Sequence, residues 1–487
     1  MGVDDSMSSL VSKDHEYLEE LVDSCIALAS RKRVYYVDVR AEKRYDERLS
    51  IADGVLQHQS VGITLGVGVR VLNNQWGFSA TTNTSAESLK KSAEFAVEVS
   101  LARARKCKGK KVTLGETKSC QDSFKTATGR SIEDVPMEEK VNHLIQWQNC
   151  ARVSKRIKSV MTDYTGIKTW KAFGNTDETR ISSEKDVCWV YSKAFAKDVG
   201  GLKSFSEIVG GSDGYDTLVN TAESQLKDVG KKALEIAKAS NAKNENSVPV
   251  ILHPNFAGLL CHEICGHASE ADRILGKERA RAGTSWWFKN LGEKIGSESV
   301  TAVDDPTIKG SLGYYLYDDE GVKAGPKVLV DKGVMKGYLH NRETASIFGV
   351  APNGSATALG YEYFPLVRVS NTFLKSGDWT LDEMIRDTEH GYLLGPGVSP
   401  QLDDKRFAWS IGSPYAYEIK KGEISCTIRD IAAFSSTPVF LNSVDAVSKD
   451  ITIFPLAGCG KGEPKQPLPA GIGGPYLRGR ANVMKIG

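Results

Sequence analysis

Apolar and polar positions predict a helix, several strands and a second helix in the first part of the chain. Residues 15–31 carry apolar side chains three or four positions apart, which indicates a helix. About four strands follow between residues 34 and 81, where apolar and polar residues alternate, and Asp53-Gly54 is a strong hairpin signal. Ser85 then precedes a long amphipathic helix that extends to about Arg105.

A similar order of elements recurs farther along the chain. Residues 107–135 are polar and have the composition of a linker. With Asp134 as cap and Pro136 in the first turn, a helix is predicted up to about Lys158. Short β-rich segments follow up to residue 195, and another helix covers residues 215–239. This second helix–strands–helix unit predicts a degenerate repeat of the first.

Beyond the polar stretch at residues 241–247 the pattern is mainly β. It predicts a strand that leads into a helix near residues 261–272, a hairpin around residues 327–339, further strands up to residue 429 and one helix at residues 381–388. We therefore predict an α+β fold, with an α/β amino-terminal half of antiparallel sheets and long helices and a mainly β carboxyl-terminal half. The predicted units are residues 1–110, 111–245 and 246–487.

Composition narrows the classes of function. The chain has 487 residues and a formal net charge of +2, so no global field would attract nucleic acid or an anionic membrane. No apolar run is long enough to cross a bilayer, and no signal-peptide core is present at the amino terminus. Nine cysteines without paired spacing indicate reduced thiols, and we expect a cytoplasmic protein without a membrane partner.

The residues with the clearest chemistry lie in the predicted helix at residues 261–272. His262 and His267 are suitable zinc ligands, and Glu263 is a suitable proton acceptor beside a bound water. The histidines are five residues apart rather than four, so a regular helix would direct them to different faces. One wide turn with an i to i+5 hydrogen bond would reunite them, and Gly266 is compatible with such a distortion. The alternative is a pair of histidines on opposite faces without a shared metal.

Several segments together resemble one family, the TldD/PmbA (TldD/TldE) metalloproteases. The resemblance extends in order over nearly the whole chain. Its segments are GVGVRVL (66–72), WGFSAT (76–81), HEICGH (262–267), DDEG (318–321), GYLHN (337–341), VSNT (369–372), GCGK (458–461) and PAGIGGP (469–475). The HExxxH element resembles the TldD type of subunit, which carries the metal. The chain departs from the family pattern at residues 395–401, where substrate contacts cannot be transferred.

The resemblance implies a zinc-dependent peptidase. It implies His262, His267 and Cys459 as Zn²⁺ ligands and Glu263 as the general base, which leaves a fourth coordination position for water. Glu270 is a rival third ligand, because it follows His267 by one helical turn. The acidic end of this helix, with Asp272, otherwise indicates a solvated terminus or a salt bridge.

Other residues have weaker chemical interpretations. Cys265, next to the histidines, is a candidate nucleophile or ligand, although free cysteine is more often a small buried apolar residue. Donors that could polarise a scissile carbonyl are His340, Tyr361 and Tyr363. Residues 318–321 form an acidic turn that is far short of a calcium loop, so a structural turn or a substrate contact is favoured.

The family resemblance also sets the expected partners and the alternatives. It implies unfolded or extended peptides and small proteins as substrates, and either a homodimer or a heterodimer with a TldE/PmbA-like subunit. One alternative is a non-catalytic, regulatory subunit of such a complex. A second is a nucleic-acid-linked modulator of DNA gyrase, against which the near-neutral charge counts. A third is a structural zinc site, which four protein ligands would close.

Overall fold

Three groups of helices and strands follow one another along the chain. The computed structural model describes residues 4–32, 34–107, 111–278 and 284–486. The first group comprises α1 (Asp4–Ser30), β1 (Tyr36–Ala52), β2 (Val55–Asn73), β3 (Gln75–Thr81) and α2 (Ala86–Lys106). The second comprises β4 (Gln121–Lys125), α3 (Met137–Ala151), β5 (Ile157–Asn175), β6 (Arg180–Asp198), β7 (Gly201–Gly211), α4 (Tyr215–Leu226) and α5 (Val229–Lys238).

The third group is richer in strands. Its first elements are β8 (Ser240–Asn241), β9 (Glu245–Leu252), α6 (Pro254–Cys261), α7 (Ala271–Ile274), β10 (Ala302–Asp304), β11 (Lys327–Asp331), β12 (Val334–Met335), α8 (Arg342–Phe348), β13 (Ala356–Thr357) and β14 (Leu366–Val367). The remainder are β15 (Asn371–Leu374), α9 (Leu381–Arg386), β16 (His390–Leu394), β17 (Val398–Leu402), β18 (Ala408–Lys420), β19 (Glu423–Ser436), α10 (Thr437–Ser443), β20 (Ala446–Val447), β21 (Thr452–Lys461), β22 (Gln466–Gly474) and β23 (Leu477–Lys485).

The first two groups build one sheet. Its strand order is β3-β2-β1-β5-β6-β4, with β7 also paired to β6. The central pair, β1 and β5, is antiparallel and joins the two groups without a break. The first group has the element order helix, three strands, helix, and the second has α3, then β5–β7, then α4 and α5, with the additional strand β4 before α3. The division into three units and the duplication both remain predictions.

The long strands correct the predicted breaks between residues 34 and 72. Polar residues such as Arg44, Asp46 and Arg48 interrupt the apolar alternation, yet β1 continues through them. It does so because β1 pairs with β2 on one side and with β5 on the other along its length, so backbone hydrogen bonding holds the polar stretch extended. The number of strands before α2 is therefore three, not four.

The second group corrects further predicted bounds. The helix that was expected to reach Lys158 ends at Ala151, and Asp134 lies in a preceding 3₁₀ turn rather than at the cap. The segments predicted between residues 159 and 195 merge into two strands, and β7 had not been predicted. The helix predicted at residues 215–239 is split into α4 and α5.

The two faces of the large sheet differ. Along β5 the even-numbered residues from Thr162 to Ala172 are buried, whereas the odd-numbered residues between them are half-buried. Helices α1, α3 and α5 pack on this sheet, where buried apolar side chains form two cores with them. The opposite, half-buried face therefore remains available to form a wall of a cleft.

Two sheets dominate the third group. One has the order β12-β11-β10-β15-β22-β21, and the other contains β17, β18, β16, β9, β23, β19 and β8. The helix α6 lies in the core between them. The sequence predicted one helix after residue 300, but α8 and α10 are also present, and β21, β22 and β23 had not been predicted. This mixture of helices and mainly antiparallel sheets confirms the predicted α+β class.

The described residues contain no helix that combines the length and the apolar character needed to cross a membrane. All nine cysteines lie in the described parts of the chain and are free.

Candidate metal centre

Close packing fixes the helix that carries the two histidines. β9 ends at Leu252, and the ring of His253 caps α6 by accepting a hydrogen bond from the Asn255 N–H. Every residue of α6 except Asn255 is buried. At Gly258 the helix approaches β22 so closely that a Cβ atom would lie 2.3 Å from the Gly473 nitrogen. Glycine at this position therefore allows the helix to pack against the sheet that contains β21.

A π turn follows α6 directly. It spans His262–Gly266, and the His267 N–H donates to the carbonyl of His262, five residues earlier. The ring centroids of His262 and His267 are 4.7 Å apart with an interplanar angle of 80°. The predicted wide turn is therefore confirmed, and it brings the two imidazoles together despite the five-residue spacing.

Cys459 reaches the same point from β21. A register irregularity between Leu456 and Cys459 disturbs the pairing of β21 with β22 just before the cysteine. The Cys459 Sγ lies 3.1 Å from the Nε2 of His267. One ligand atom from each of His262, His267 and Cys459 lies within 4.8 Å of the other two, and all three residues are buried.

The electrostatics at this point favour an ionised thiol. Burial raises the pKa of Cys459, but the nearby His267 and His262 outweigh it and hold that pKa well below its ordinary value. Burial lowers the pKa of His267, whereas Cys459 and Glu270 raise it, with a net value of about 9. These shifts favour a thiolate at Cys459 beside an imidazolium at His267, and a metal ion would replace the proton on His267.

The donor set fits a zinc ion. Imidazole nitrogen and thiolate sulfur are both preferred zinc ligands, and three protein ligands leave one position for water. The Nδ1 of His262 is buried and has no hydrogen-bond partner among the described residues. Leaving a buried ring nitrogen without a hydrogen bond costs free energy. A bound metal, or a water beside the ring, would supply the missing partner of His262.

Glu270 contacts the back of His267 rather than the cluster. Its Oε2 lies 3.2 Å from the His267 Nδ1 and 3.2 Å from the Lys461 Nζ. Burial opposes ionisation, but Lys461, His267 and Arg273 hold the pKa of Glu270 well below its ordinary value. A carboxylate on the second ring nitrogen fixes the orientation of a metal-binding histidine. This geometry favours Cys459 over Glu270 as the third ligand.

Glu263 follows His262 on the π turn and is only partly buried. Its carboxylate contacts the guanidinium of Arg406, which lies in the turn before β18. Arg406 has a positive φ of 63° in this turn and is buried. No motif in the sequence marks Arg406, which is 143 residues away from Glu263 along the chain. Lys461 was named only as part of a motif, without a role.

The other residues that the sequence suggested as nucleophile or carbonyl-polarising donors have structural contacts. Cys265 belongs to the buried apolar core, as expected of a structural cysteine. Burial lowers the pKa of His340 to about 4, and its ring packs against Tyr338 and Phe348. The Tyr361 ring lies over Gly66 in β2, and the Tyr363 carbonyl accepts from the guanidinium of Arg40.

The acidic turn at residues 318–321 has structural contacts. Asp318 accepts hydrogen bonds from the backbone N–H groups of Glu320, Val322 and Ala356. Glu320 forms a buried ion pair with Arg70 of β2, with an N–O distance of 3.1 Å. The turn therefore connects the amino-terminal sheet to the third group, in agreement with the structural interpretation.

A cleft of about 480 Å³ lies between the half-buried face of the large sheet and the third group. Ala457 and Leu468, from β21 and β22, form part of its wall, and Leu468 is opposite Cys459 in the strand register. Val369 also lines the cleft and lies against Gly266, the residue before His267. The cleft therefore borders the two segments that carry His267 and Cys459.

Comparison with known proteins finds similarity over nearly the whole chain. Three family models match: PmbA/TldA metallopeptidase domain 1 at residues 37–100, the central domain at residues 130–241 and the C-terminal domain at residues 245–484. A metalloprotease of Methanocaldococcus jannaschii is 33% identical over 451 residues, which is 92% of this chain and 96% of that protein.

Two more distant proteins are also similar. A protein of Saccharolobus solfataricus, named a zinc metalloprotease TldD homolog, is 26% identical over 458 residues, which is 93% of this chain and 96% of that protein. The crystal structure of TldE from Thermococcus kodakarensis superposes with a TM-score of 0.72 at 16% identity, covering 96% of this chain and 99% of that one. This second similarity concerns the fold alone.

Proposed function

Because this chain belongs to the PmbA/TldD metallopeptidase family, we propose that it is a zinc-dependent peptidase that hydrolyses unfolded or extended peptides. His262, His267 and Cys459 are the proposed metal ligands, and Glu263 is the proposed general base. The observation that supports the proposal most strongly is the convergence of two imidazoles and one thiol to within 4.8 Å, from segments nearly 200 residues apart. A relative named a zinc metalloprotease supports zinc as the metal.

The ligand residues are held by their surroundings. The Glu270 carboxylate lies 3.2 Å from the Nδ1 of His267, on the side of the ring away from the Nε2 that faces Cys459. Lys461 holds Glu270 from the other side and also contacts Asp272 at 2.7 Å. In this position a zinc ion would supply a Lewis acid and a water of lowered pKa.

Glu263 is the residue proposed to move the proton. Its carboxylate oxygen would accept a proton from the attacking water and donate it to the leaving amine. Arg406 contacts this carboxylate and so restricts its rotamer, while the partial exposure of Glu263 keeps it accessible from solvent. We assign Arg406 a positioning role, because its contact is with the base.

An extended peptide suits the surfaces beside the cluster. β21 is the last strand of its sheet in the described part of the chain, so one of its edges has no strand partner. An extended peptide can pair its backbone with such an edge, which gives affinity without selecting a sequence. The same strand carries Cys459, so a peptide bound there would pass close to the ligand cluster.

We also propose that the working enzyme is a dimer, either of two copies or with a TldE-like subunit. The similarity in fold to a TldE protein supports a partner of this kind. Light scattering of the purified chain, alone and with a TldE-like subunit of the same organism, measures the assembly. Hydrolysis by the chain alone would exclude a purely regulatory role.

The substitution Glu263→Gln tests the chemistry. It keeps the size of the side chain and removes the proton acceptor, so hydrolysis of an unfolded peptide should fall by roughly 10²–10⁴-fold. Bound zinc, measured by elemental analysis, should remain at the wild-type level because Glu263 is not a proposed ligand. Unchanged hydrolysis in a zinc-loaded Glu263→Gln protein would exclude the assigned base. Absence of bound zinc in the wild-type protein would exclude the proposed enzyme.

A further inference from the structure

The cleft beside the ligand cluster carries an excess of positive charge. Its charged lining residues are four cations, Arg44, Arg48, Lys171 and Lys185, and two carboxylates, Glu42 and Asp319. The cations all come from the half-buried face of the large sheet. The opposite wall contributes mostly apolar and aromatic groups, including Leu312, Tyr315, Val369 and Leu468. A ligand in the cleft would therefore meet apolar side chains on one side and an unbalanced cationic face on the other.

Two of these cations have carboxylate partners in the protein. Arg44 pairs with Asp46 at 2.6 Å, and Lys171 contacts the carboxylate of Asp319. Asp319 is also fixed by the backbone N–H of Ala358, with a distance of 2.7 Å. These charges are compensated within the fold and are not available to attract a ligand strongly.

Lys185 differs from them. It lies on β6 opposite Thr169 of β5, and its Nζ donates a hydrogen bond of 2.6 Å to the Tyr314 carbonyl. Among the described residues no carboxylate lies within ion-pairing distance of this Nζ. Burial, together with the neighbouring cation Lys171, lowers the pKa of Lys185 to about 8. A partly buried ammonium without a counter-ion costs free energy, which a bound anion would recover.

We propose that Lys185 receives a carboxylate of the peptide that lies in this cleft, so that the enzyme prefers peptides with an acidic group at that position. The inference rests on the proposed peptidase function, because it assigns a specificity determinant to the same cleft. The carboxylate belongs either to an Asp or Glu side chain or to the free carboxyl terminus of the substrate. A carbonyl already occupies one donor direction of the ammonium, and two N–H donors remain for a carboxylate.

The geometry of the sheet supports an extended ligand at this position. The residues Thr165, Ile167 and Thr169 line the cleft from alternate positions of β5, and Lys185 is paired in register with the last of them. A peptide lying along this face would pass these three side chains, and Arg48 beside Thr165, before it reached the ammonium. Peptides with a basic group at the same position would be repelled by Lys185.

Four peptides test the preference. They share one short unstructured sequence, with either Asp or Asn at a central position and with either a free or an amidated carboxyl terminus. Hydrolysis is followed by mass spectrometry, and binding by fluorescence anisotropy of labelled peptides to the Glu263→Gln protein. We expect at least about ten-fold tighter binding and higher kcat/KM for the peptide that presents the recognised carboxylate. Preference for Asp over Asn identifies a side chain, and preference for the free terminus identifies the terminal carboxylate.

Variants of one strand connect the preference to Lys185. In Lys185→Met the discrimination should disappear, and in Lys185→Glu it should reverse, so that the peptide without the recognised carboxylate is preferred. Lys193→Met is the matched control, because Lys193 lies on the same face of β6 beside Phe195 and outside the cleft. This control should keep the wild-type preference. Discrimination that survives in Lys185→Met, or that is absent from the wild-type protein, would overturn the inference.

Two further readouts separate the possible failures. Binding does not depend on hydrolysis, so discrimination in binding without hydrolysis of any peptide would exclude the proposed peptidase and support the assignment of Lys185. Hydrolysis of all four peptides without discrimination would support the proposed peptidase and exclude the assignment of Lys185. The melting temperature of Lys185→Met should equal or exceed that of the wild-type protein, because the substitution removes an uncompensated charge. A loss of discrimination accompanied by a lower melting temperature would count against a role in recognition.

Discussion

His267 is contacted on both ring nitrogens, which is why the roles proposed for Glu270 and Cys459 differ. Glu270 lies at the Nδ1, whereas the Cys459 sulfur lies at the Nε2 beside His262. From the sequence, both were available as the third ligand, since each type of side chain binds zinc. The proposed choice of Cys459 is supported by Lys461, whose Nζ lies 3.2 Å from the Glu270 carboxylate, and no spacing in the sequence indicates that contact.

Also at the scale of single residues, the buried carboxyl group of Glu207 predicts that the stability of the protein depends on pH. Glu207 on β7 lines a separate pocket, and burial raises its pKa to about 7. The carboxyl group of an unfolded chain titrates near pH 4.3, so between pH 4.3 and 7 the folded state binds more protons than the unfolded state. The contribution of Glu207 to stability is therefore fully present below about pH 4.3 and is lost as the pH rises towards 7.

Glu207→Gln should remove this penalty. We expect the variant to be more stable than the wild-type protein by about 1–2 kcal/mol at pH 8 and equally stable at pH 4. Thermal unfolding at the two pH values, followed by circular dichroism, measures the difference. Equal stability of the two proteins at pH 8 would show that Glu207 is not the source of such a pH dependence.

At the scale of single elements, the π turn after α6 is the main departure from regular helix geometry in the candidate site. The five-residue spacing of the histidines indicated it, and the turn at His262–Gly266 has this geometry. Strand ends were predicted less well, because local alternation stops at polar residues whereas pairing with neighbours continues. β1 continues through Arg44 and Asp46 for that reason. Similarly, β21 and β22 are rich in glycine and proline, which conceals their strand character in the sequence.

Gly266 tests the packing of this turn. A Cβ atom at this position would lie 3.0 Å from Val369 Cγ1 and 3.1 Å from Thr372 Oγ1, so Gly266→Val should displace the turn and lower both stability and zinc content. We expect a loss of about 1–3 kcal/mol in the free energy of unfolding. Gly62→Val, at an open position of β2, is the control and should change neither quantity. Wild-type zinc content in Gly266→Val would contradict the tight packing around His267.

At the scale of the whole molecule, one buried ion network joins the amino-terminal sheet to the third group. Arg70 of β2 pairs with Asp38 of β1 at 2.6 Å and with Glu320 at 3.1 Å, and all three side chains are about 1% exposed. The sequence predicted the α+β class and the residues of the cluster. It did not predict this network, since its members are up to 250 residues apart and nothing local connects them.

Arg70→Ala should weaken the connection between the two parts. The substitution leaves two buried carboxylates without a cation, so we expect a loss of about 3–5 kcal/mol in stability. Lys91→Ala removes an exposed pair with Glu87 on α2 and should have little effect. Urea unfolding of both variants gives the comparison. An Arg70→Ala protein as stable as Lys91→Ala would show that the network contributes little.

The central claim is that one zinc ion is held by two imidazoles and the thiolate of Cys459. X-ray absorption spectroscopy of the zinc-loaded protein measures the ligands directly. We predict nitrogen ligands at about 2.0–2.1 Å and one sulfur at about 2.3 Å. The sulfur should be absent in Cys459→Ser and retained in Cys265→Ser. A first shell without sulfur in the wild-type protein, or a sulfur that persists in Cys459→Ser, would contradict the account.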